Sequence, residues 1–329
     1  YIYEGASRDG QVRKHVGPKL LTLEHYRNRH AQYKTDEHLR AAHAAFPWLV
    51  TWDDHEFENN WAGGISERQD ADPAAFLEQR AAAFQAYYEH MPLRRAAVPK
   101  GPDMLLYRRV PFGGLAEFFV LDTRQYRTDQ PCGDKNVWPC EAALDPNATL
   151  LGAAQEKWLT DGLAASEANW NVLAQQVMFA PVDRAPGEDE ARSMDQWPGY
   201  EANRRRLLAF FDEAAVKNPV VITGDIHSNW ANDLALPDGG PVVATEYVGT
   251  SISSGGNGGP NAKYAEAMTT ENPFVKFYNA ERGYVRCELT SDLWRTDYQV
   301  VEEVTKPGAP LVTRASFVTE AGRPGVQRA

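Results

Sequence analysis

Residues 220–229 read Val-Val-Ile-Thr-Gly-Asp-Ile-His-Ser-Asn: a short apolar, β-favouring run, then Gly224, then a carboxylate and an imidazole at alternate positions, Asp225 and His227. A continuous apolar run of this length suits a strand buried on both faces of a sheet. Ligands of α/β proteins bind beyond the carboxyl ends of such strands, so polar side chains there mark a candidate site. A second stretch repeats the arrangement. Residues 48–52, Trp-Leu-Val-Thr-Trp, lead into Asp53-Asp54-His55-Glu56, with Asn59 and Asn60 close behind. The plainer alternative is that Asp53 and Asp54 cap a helix and that Gly224-Asp225 forms a tight turn.

Working outward, further apolar runs at 115–121, 170–175 and 242–248 read as strands. Helices alternate with them. Asp72 followed by Pro73 is a helix start, and Phe76, Leu77, Arg80, Phe84, Tyr87, Tyr88 and Met91 fall on one face. Thr22 caps a second helix running towards Ala45, with Leu23, Tyr26, His30 and Tyr33 at helical spacing. The histidines of this segment, His25, His30, His38 and His43, read as surface or hydrogen-bonded residues. Two more helices are expected over about 152–166 and 200–217. After Pro273 the pattern changes: 283–289, 294–304 and 315–319 read as successive strands, an antiparallel finish to the sheet at about 283–320. With no repeat and no linker, residues 1–329 are expected to form one catalytic domain.

Composition narrows the function. The chain carries 34 Lys and Arg against 45 Asp and Glu, a formal charge of −11, which disfavours nucleic acid and anionic lipid as partners. No run approaches the roughly eighteen apolar residues of a membrane-spanning helix. An anionic ligand therefore needs a locally positive site. Carboxylates gathered together repel one another and call for a cation, and oxygen with imidazole nitrogen suits iron, manganese, zinc or calcium. The spacing of Cys132 and Cys140 suits a local disulfide in an oxidising compartment, two free thiols being the alternative, and Cys287 is left over. Signatures of zinc proteases, serine hydrolases and P-loop nucleotidases are absent. The Gly-rich stretch 251–259 suits either an anion cradle or a surface loop. Arg124, in Asp122-Thr123-Arg124 after the 115–121 run, offers a guanidinium either for a phosphoryl oxygen or for an ion pair with Asp122 or Asp129.

Taken in order, Tyr-Ile-Tyr-Glu (1–4), Thr-Trp-Asp-Asp-His-Glu (51–56) with Asn-Asn (59–60), Leu-Asp-Thr-Arg-Gln-Tyr-Arg (121–127), Leu-Gly-x-x-Gln-x-x-Trp-Leu (151–159) and Ile-Thr-Gly-Asp-Ile-His-Ser (222–228) resemble the alkaline phosphatase D (PhoD-like) family of calcineurin-like metallophosphoesterases. The resemblance extends along essentially the whole chain. It implies an α/β fold, a calcineurin-like β-sandwich flanked by helices. It also implies hydrolysis of phosphate monoesters and diesters with iron and calcium, in a protein exported in folded form to the periplasm or beyond. By the same resemblance Tyr1, Asp54, Asp225 and His227 are metal ligands and His55 faces the leaving group; the expectation that Arg124 adds a charge-assisted contact to the phosphate comes from its own placement after the 115–121 run. Family members carry an aspartate just before the Tyr-Ile-Tyr-Glu run and an earlier strand ending in further ligands. The chain starting at Tyr1 is accordingly expected to be a fragment that lacks its first strand or strands and part of its metal shell.

The expected chemistry is attack of a metal-activated water on a phosphate ester, with His55, held by Glu56 or a backbone carbonyl, protonating the leaving group. Two other readings stand beside it. One is a secreted, non-catalytic phosphate- or metal-binding homologue inactivated by truncation. The other is a glycoside hydrolase built on a carboxylate pair such as Asp54 and Asp225, with nine tryptophans available for sugar stacking. Chelation separates them, since a carboxylate pair alone needs no metal.

Overall fold

The computed structural model describes residues 1–7, 13–68, 70–237, 239–252, 254–259 and 262–329, grouped into two compact units. The first comprises Tyr1–Tyr107 with Arg124–Asp129, and the second Arg108–Thr123 with Gln130–Ala329.

The first unit is helical, with α1 (Leu23–Tyr33), α2 (Glu37–Ala45) and α3 (Pro73–His90). The helix expected from Thr22 to Ala45 is two helices. Thr22 caps the first by accepting from the His25 amide, but Asp36 accepts from the amides of His38 and Leu39 and starts a new helix. An aspartate that can bond the amides ahead of it competes with continuation of the helix behind it. Helix α3 begins as read, with Asp72 capping and Pro73 in the first turn. Its buried face, Phe76, Ala83, Phe84 and Tyr87, shares one apolar core with Ile2, Tyr26, Val50, Trp52, Phe57 and Trp61.

Residues 48–52 are not a strand: 47–53 carry no regular secondary structure. Val50 and Trp52 are buried by helix packing, not by a sheet, and Leu49 is exposed. Trp52 stacks on Phe84 with ring centroids 4.1 Å apart and meets Tyr87 edge-on at 5.6 Å. A short apolar run reports burial before it reports backbone pairing.

The second unit is a two-sheet structure with helices on one side. Its larger sheet has the order β1-β2-β3-β4-β6-β5-β7, built from β1 (Arg108–Phe112), β2 (Ala116–Val120), β3 (Trp170–Ala174), β4 (Pro219–Thr223), β5 (Asn229–Ala235), β6 (Val242–Val248) and β7 (Val275–Asn279). The middle, β2 to β3 to β4 to β6, is parallel, and the edges are antiparallel. A separate antiparallel sheet has the order β11-β10-β9-β8, from β8 (Arg282–Leu289), β9 (Leu293–Val301), β10 (Leu311–Glu320) and β11 (Arg323–Arg328). The C-terminal strands thus form a second sheet and not the finish of the first. They cover one of its faces instead of extending its edge, because that face is apolar and needs a partner layer.

Side-chain alternation fixes both layers. Trp170, Val172, Val220, Ala231 and Tyr247 meet Trp294, Tyr298 and Phe317 of the small sheet. Their neighbours Leu173, Val221, Trp230, Ala244 and Val248 face the helix side, packing with Leu159 and Leu163 of α4 (Gly152–Ala164), Leu207, Leu208 and Phe211 of α5 (Glu201–Glu213) and Met268 of α6 (Ala262–Glu271). Burial on both faces explains why β4 reads as a continuous apolar run and β3 as one broken only by Asn171. Cys132 and Cys140 form a disulfide with Cα atoms 6.4 Å apart.

Candidate functional site

In the first unit the chain leaves the buried Trp52 and turns through 53–60 with no helix. The turn is braced by its own carboxylates. Asp54 accepts from the His55 amide at 2.7 Å through one oxygen and from the Asn60 amide at 3.0 Å through the other, while its carbonyl accepts from Phe57 at 2.9 Å. Glu56 accepts from the Asp53 amide at 2.7 Å and from the Ile2 amide at 3.3 Å, and the Tyr1 nitrogen lies 2.6 Å from it. Asp54 therefore does satisfy backbone amides, as the plainer reading held, yet those of a turn and not of a helix. Each of its oxygens keeps a lone pair for another partner.

Asp53 receives a hydrogen bond from Arg124 Nε at 2.7 Å. Burial pushes its carboxyl upward, the Arg124 guanidinium opposes this, and the Asp54 charge reinforces it. Carboxylate oxygens of Asp53 and Asp54 lie within 4.8 Å of each other, near enough to share one cation. Arg124 is fully buried, and its carbonyl also accepts from the Gly63 amide at 2.9 Å.

His55 is oriented by Glu4, not by Glu56: its Nδ1 is 2.7 Å from Glu4 Oε2, and the Tyr3 ring lies against it at 4.2 Å between centroids. Glu56 is turned towards backbone amides. Burial disfavours the charged imidazole, but the Glu4 hydrogen bond and the Asp54 charge outweigh it and bring the ring up to about 9. With Nδ1 engaged by Glu4, Nε2 is left as the proton-bearing tip, 4.0 Å from Asp54.

The Tyr1 hydroxyl lies 3.1 Å from His43 Nε2, and burial pushes this phenol up to about 12. His30 departs from its reading as a surface or hydrogen-bonded residue. It is fully buried, neither ring nitrogen has a hydrogen-bond partner, and it stacks on His90 at 5.1 Å. Burial lowers it to about 3, so it is a neutral aromatic filler of the helical core.

In the second unit, β4 lies inside the parallel part of the large sheet and ends at Thr223, so the Gly-Asp-Ile-His turn does sit beyond a buried strand. Asp225 (φ 67°) and His227 (φ 52°) both adopt the left-handed conformation. Non-glycine residues there cost roughly 1–3 kcal/mol each and persist only where their surroundings enforce them. The enforcement is visible. The Gly224 amide donates to the Gln176 carbonyl at 3.0 Å and the Ile226 amide to Gly224 at 2.9 Å, while the Arg282 guanidinium donates to the His227 carbonyl. Gln196 Nε2 donates to Asp225 Oδ2 at 3.1 Å.

Gln196 was not visible as a site residue in the sequence. It is held by the turn that follows it, where a Cβ on Gly199 would lie 2.1 Å from the Met194 carbonyl oxygen. The buried Trp197 indole also bonds Gln175 at 3.2 Å. Glu4 was likewise missed as the partner of His55. The only signal was its membership of the Tyr-Ile-Tyr-Glu run.

The donors suit a hard to borderline ion. The first unit offers the buried Asp54 beside the half-buried Asp53, and the second an aspartate and a histidine on one enforced turn. Cys132 and Cys140 are joined to each other and are not ligands.

The chain is similar to characterised proteins over its full length. The profile of the family described as PhoD-like phosphatase matches residues 1–298. Alkaline phosphatase D of Bacillus subtilis (strain 168) is 49% identical over 336 residues, covering 100% of this chain and 58% of the relative. A solved structure described as "Structure of PhoD" superposes with a TM-score of 0.93 at 48% identity, covering 100% of this chain and 64% of that one. The chain thus spans less than two thirds of either relative and matches the fold of the corresponding part. It belongs to the PhoD-like phosphatase family.

Proposed function

We propose that this chain carries the metal-dependent hydrolysis of phosphate monoesters and diesters. The observation that carries the reading is the pair of the buried Asp54 and the half-buried Asp53, whose oxygens lie within 4.8 Å, next to an imidazole clamped by Glu4. In the first unit Asp54, with Asp53 and the Tyr1 phenol, are the proposed ligands. In the second they are Asp225 and His227. Iron and calcium are the proposed ions, the carboxylates favouring the harder calcium and the phenol and imidazole suiting iron. When bound, the metal supplies positive charge for phosphoryl oxygens and acidifies a water.

The protein's own groups do the rest. His55, protonated and oriented through Nδ1 by Glu4, delivers a proton from Nε2 to the departing alkoxide. Arg124 fixes the Asp53 carboxylate in place. No covalent phosphoenzyme is invoked.

The disulfide supports an exported location, because such bridges persist in oxidising compartments. No helix among the described residues is long and apolar enough to cross a membrane.

The test is hydrolysis of p-nitrophenyl phosphate and bis-p-nitrophenyl phosphate before and after chelation. Loss on chelation and recovery on adding back iron with calcium is the expected result. Activity that survives exhaustive chelation would eliminate the metal reading and favour a metal-free carboxylate pair. Stoichiometric phosphate or metal binding without turnover would eliminate catalysis.

A further inference from the structure

The Gly-rich stretch 251–259 reads from sequence as either an anion cradle or a surface loop, and residue 253 lies outside the described residues. The remainder is tied to one guanidinium. Arg282, at the start of β8 and 5% exposed, donates through Nε to the Gly256 carbonyl at 3.0 Å. Through Nη1 it donates to Thr250 Oγ1 at 3.2 Å, Ser251 Oγ at 3.0 Å and the carbonyl of His227.

The glycines make this approach possible. Gly255, Gly256, Gly258 and Gly259 all have positive φ, between 68° and 97°. A Cβ on Gly258 would lie 1.6 Å from the Ala280 carbonyl oxygen and 2.6 Å from Arg282 Nη2. The stretch also has anchors on either side of the arginine. The Thr250 amide donates to Asn229 Oδ1 at 3.1 Å, and Asn257 Oδ1 accepts from the Val304 amide at 2.8 Å.

We infer that Arg282 is a positioning residue which couples the Gly-rich stretch to the His227 turn, so that displacement of the stretch re-aims the His227 imidazole. The inference rests on the reading of His227 as a metal ligand for its consequence in activity, though the coupling itself does not depend on any metal. The physical reason is that a planar guanidinium has a fixed fork of donors. It satisfies the His227 carbonyl and the 250–256 acceptors together only in one orientation. His227 sits in a conformation its own side chain disfavours, and loss of an enforcing bond releases it. The stretch is therefore part of the frame of the site and not an independent lid.

Hydrogen exchange on the metal-free chain tests the coupling. Wild type, Arg282→Gln and Gly258→Ala are compared over peptides covering 224–229 and 250–259. Both variants are expected to exchange faster in both peptides, although the methyl that Gly258→Ala adds meets Ala280 and Arg282 and touches nothing in the 224–229 turn. Faster exchange at 250–259 with unchanged protection at 224–229 in Gly258→Ala would overturn the coupling.

A second arm reads calcium affinity by titration and kcat and KM on the diester. Substitutions of residues that orient ligands typically cost about 10–100-fold. Arg282→Gln is expected to fall in that range, Arg282→Lys between it and wild type, and Arg286→Gln on the same strand within about twofold of wild type. Wild-type affinity and kcat in folded Arg282→Gln would also overturn the proposal. His227→Ala tests the underlying reading separately: metal and activity retained there remove His227 as a ligand, whatever exchange shows for Arg282.

Discussion

The two turns that carry the candidate chemistry are built on opposite principles. In the first unit the 53–60 turn is braced by its own side chains, with Asp54 and Glu56 accepting amides at Asp53, His55 and Asn60, and only Asn60 in the left-handed region. In the second unit the 224–228 turn has two left-handed non-glycine residues, Asp225 and His227, and is held from outside by Gln176, Gln196 and Arg282. A carboxylate in the first turn is structural and functional at once. The carboxylate of the second, Asp225, accepts from Gln196, which lies outside the turn.

This contrast predicts that ligand substitutions separate stability from activity differently in the two units. Asp54→Ala and Asp225→Asn should each reduce diester turnover by more than about 1000-fold, beyond the range for residues that merely orient ligands. In thermal or denaturant unfolding of the metal-free chain they should differ. Asp54→Ala loses two hydrogen bonds to a charged acceptor and should cost about 3 kcal/mol. Asp225→Asn keeps an acceptor for Gln196 and a residue type that tolerates left-handed φ, and should cost less than about 1 kcal/mol. Equal destabilisation would break the distinction.

The imidazole of the first turn gives the next effect. His55→Ala should slow phosphate esters with poor leaving groups by about 100–10,000-fold and those with p-nitrophenolate much less, since a good leaving group needs no proton. Glu4→Gln should show the same selectivity at reduced amplitude, because it weakens the orientation of the ring without removing it. Uniform loss across leaving groups for both variants would argue that the pair only supports the turn.

Support of the second turn has a pH dependence of its own. The stretch after β3 supplies the Gln176 carbonyl to Gly224, and its Phe179 and Ala180 amides donate to the buried Glu246 at 2.6 and 3.0 Å. Burial raises Glu246 to about 7, despite the hydrogen bonds from Phe179 and Asn232. Between the ordinary carboxylate value and about 7 the folded state holds a proton that the unfolded state has released, so stability falls as pH rises through that window. The loss is about 3 kcal/mol, complete above pH 7 and absent below the unfolded value. Unfolding free energies measured from pH 4.5 to 8 should show this slope in wild type and a flatter profile in Glu246→Gln. Identical profiles would remove Glu246 as the source.

The same contrast explains what could be read from the residues alone. Runs 170–175, 220–223 and 242–248 contain strands whose double-sided burial leaves a largely apolar signature, interrupted by the buried Asn171, Thr245 and Glu246. Strand β5, Asn-Trp-Ala-Asn-Asp-Leu-Ala, has weak β propensity and is held by tertiary pairing on both sides. Strand β11 contains Pro324, which an edge strand tolerates, and Gly325, which weakens a strand. The segment 48–52 misled because burial by helix α3 looks like burial in a sheet. At the sites, Asp53, Asp54, His55, Asp225 and His227 stood out as polar groups behind apolar runs. Glu4 and Gln196 did not, since a partner 51 or 29 residues away is a property of the fold and not of spacing.

The smallest predicted effect calibrates the strain in the second turn. Ala215 also adopts left-handed φ, 47°, just past the end of helix α5, where its amide donates to Asp212 and that of Val216 to Phe211. It is the position where helices most often place glycine, and it has no role in the proposed chemistry. Left-handed backbone costs an ordinary residue about 1–2 kcal/mol, and glycine returns about 0.4–1 kcal/mol of that through a freer unfolded chain. Ala215→Gly should therefore stabilise the metal-free protein by about 0.5–1 kcal/mol with kcat and KM unchanged. If it does, the same strain is present at Asp225 and His227, and the bonds from Gln196 and Arg282 are what hold it. A destabilising Ala215→Gly would mean that left-handed backbone is not costly in this unit, and the second turn would need no enforcement from its neighbours.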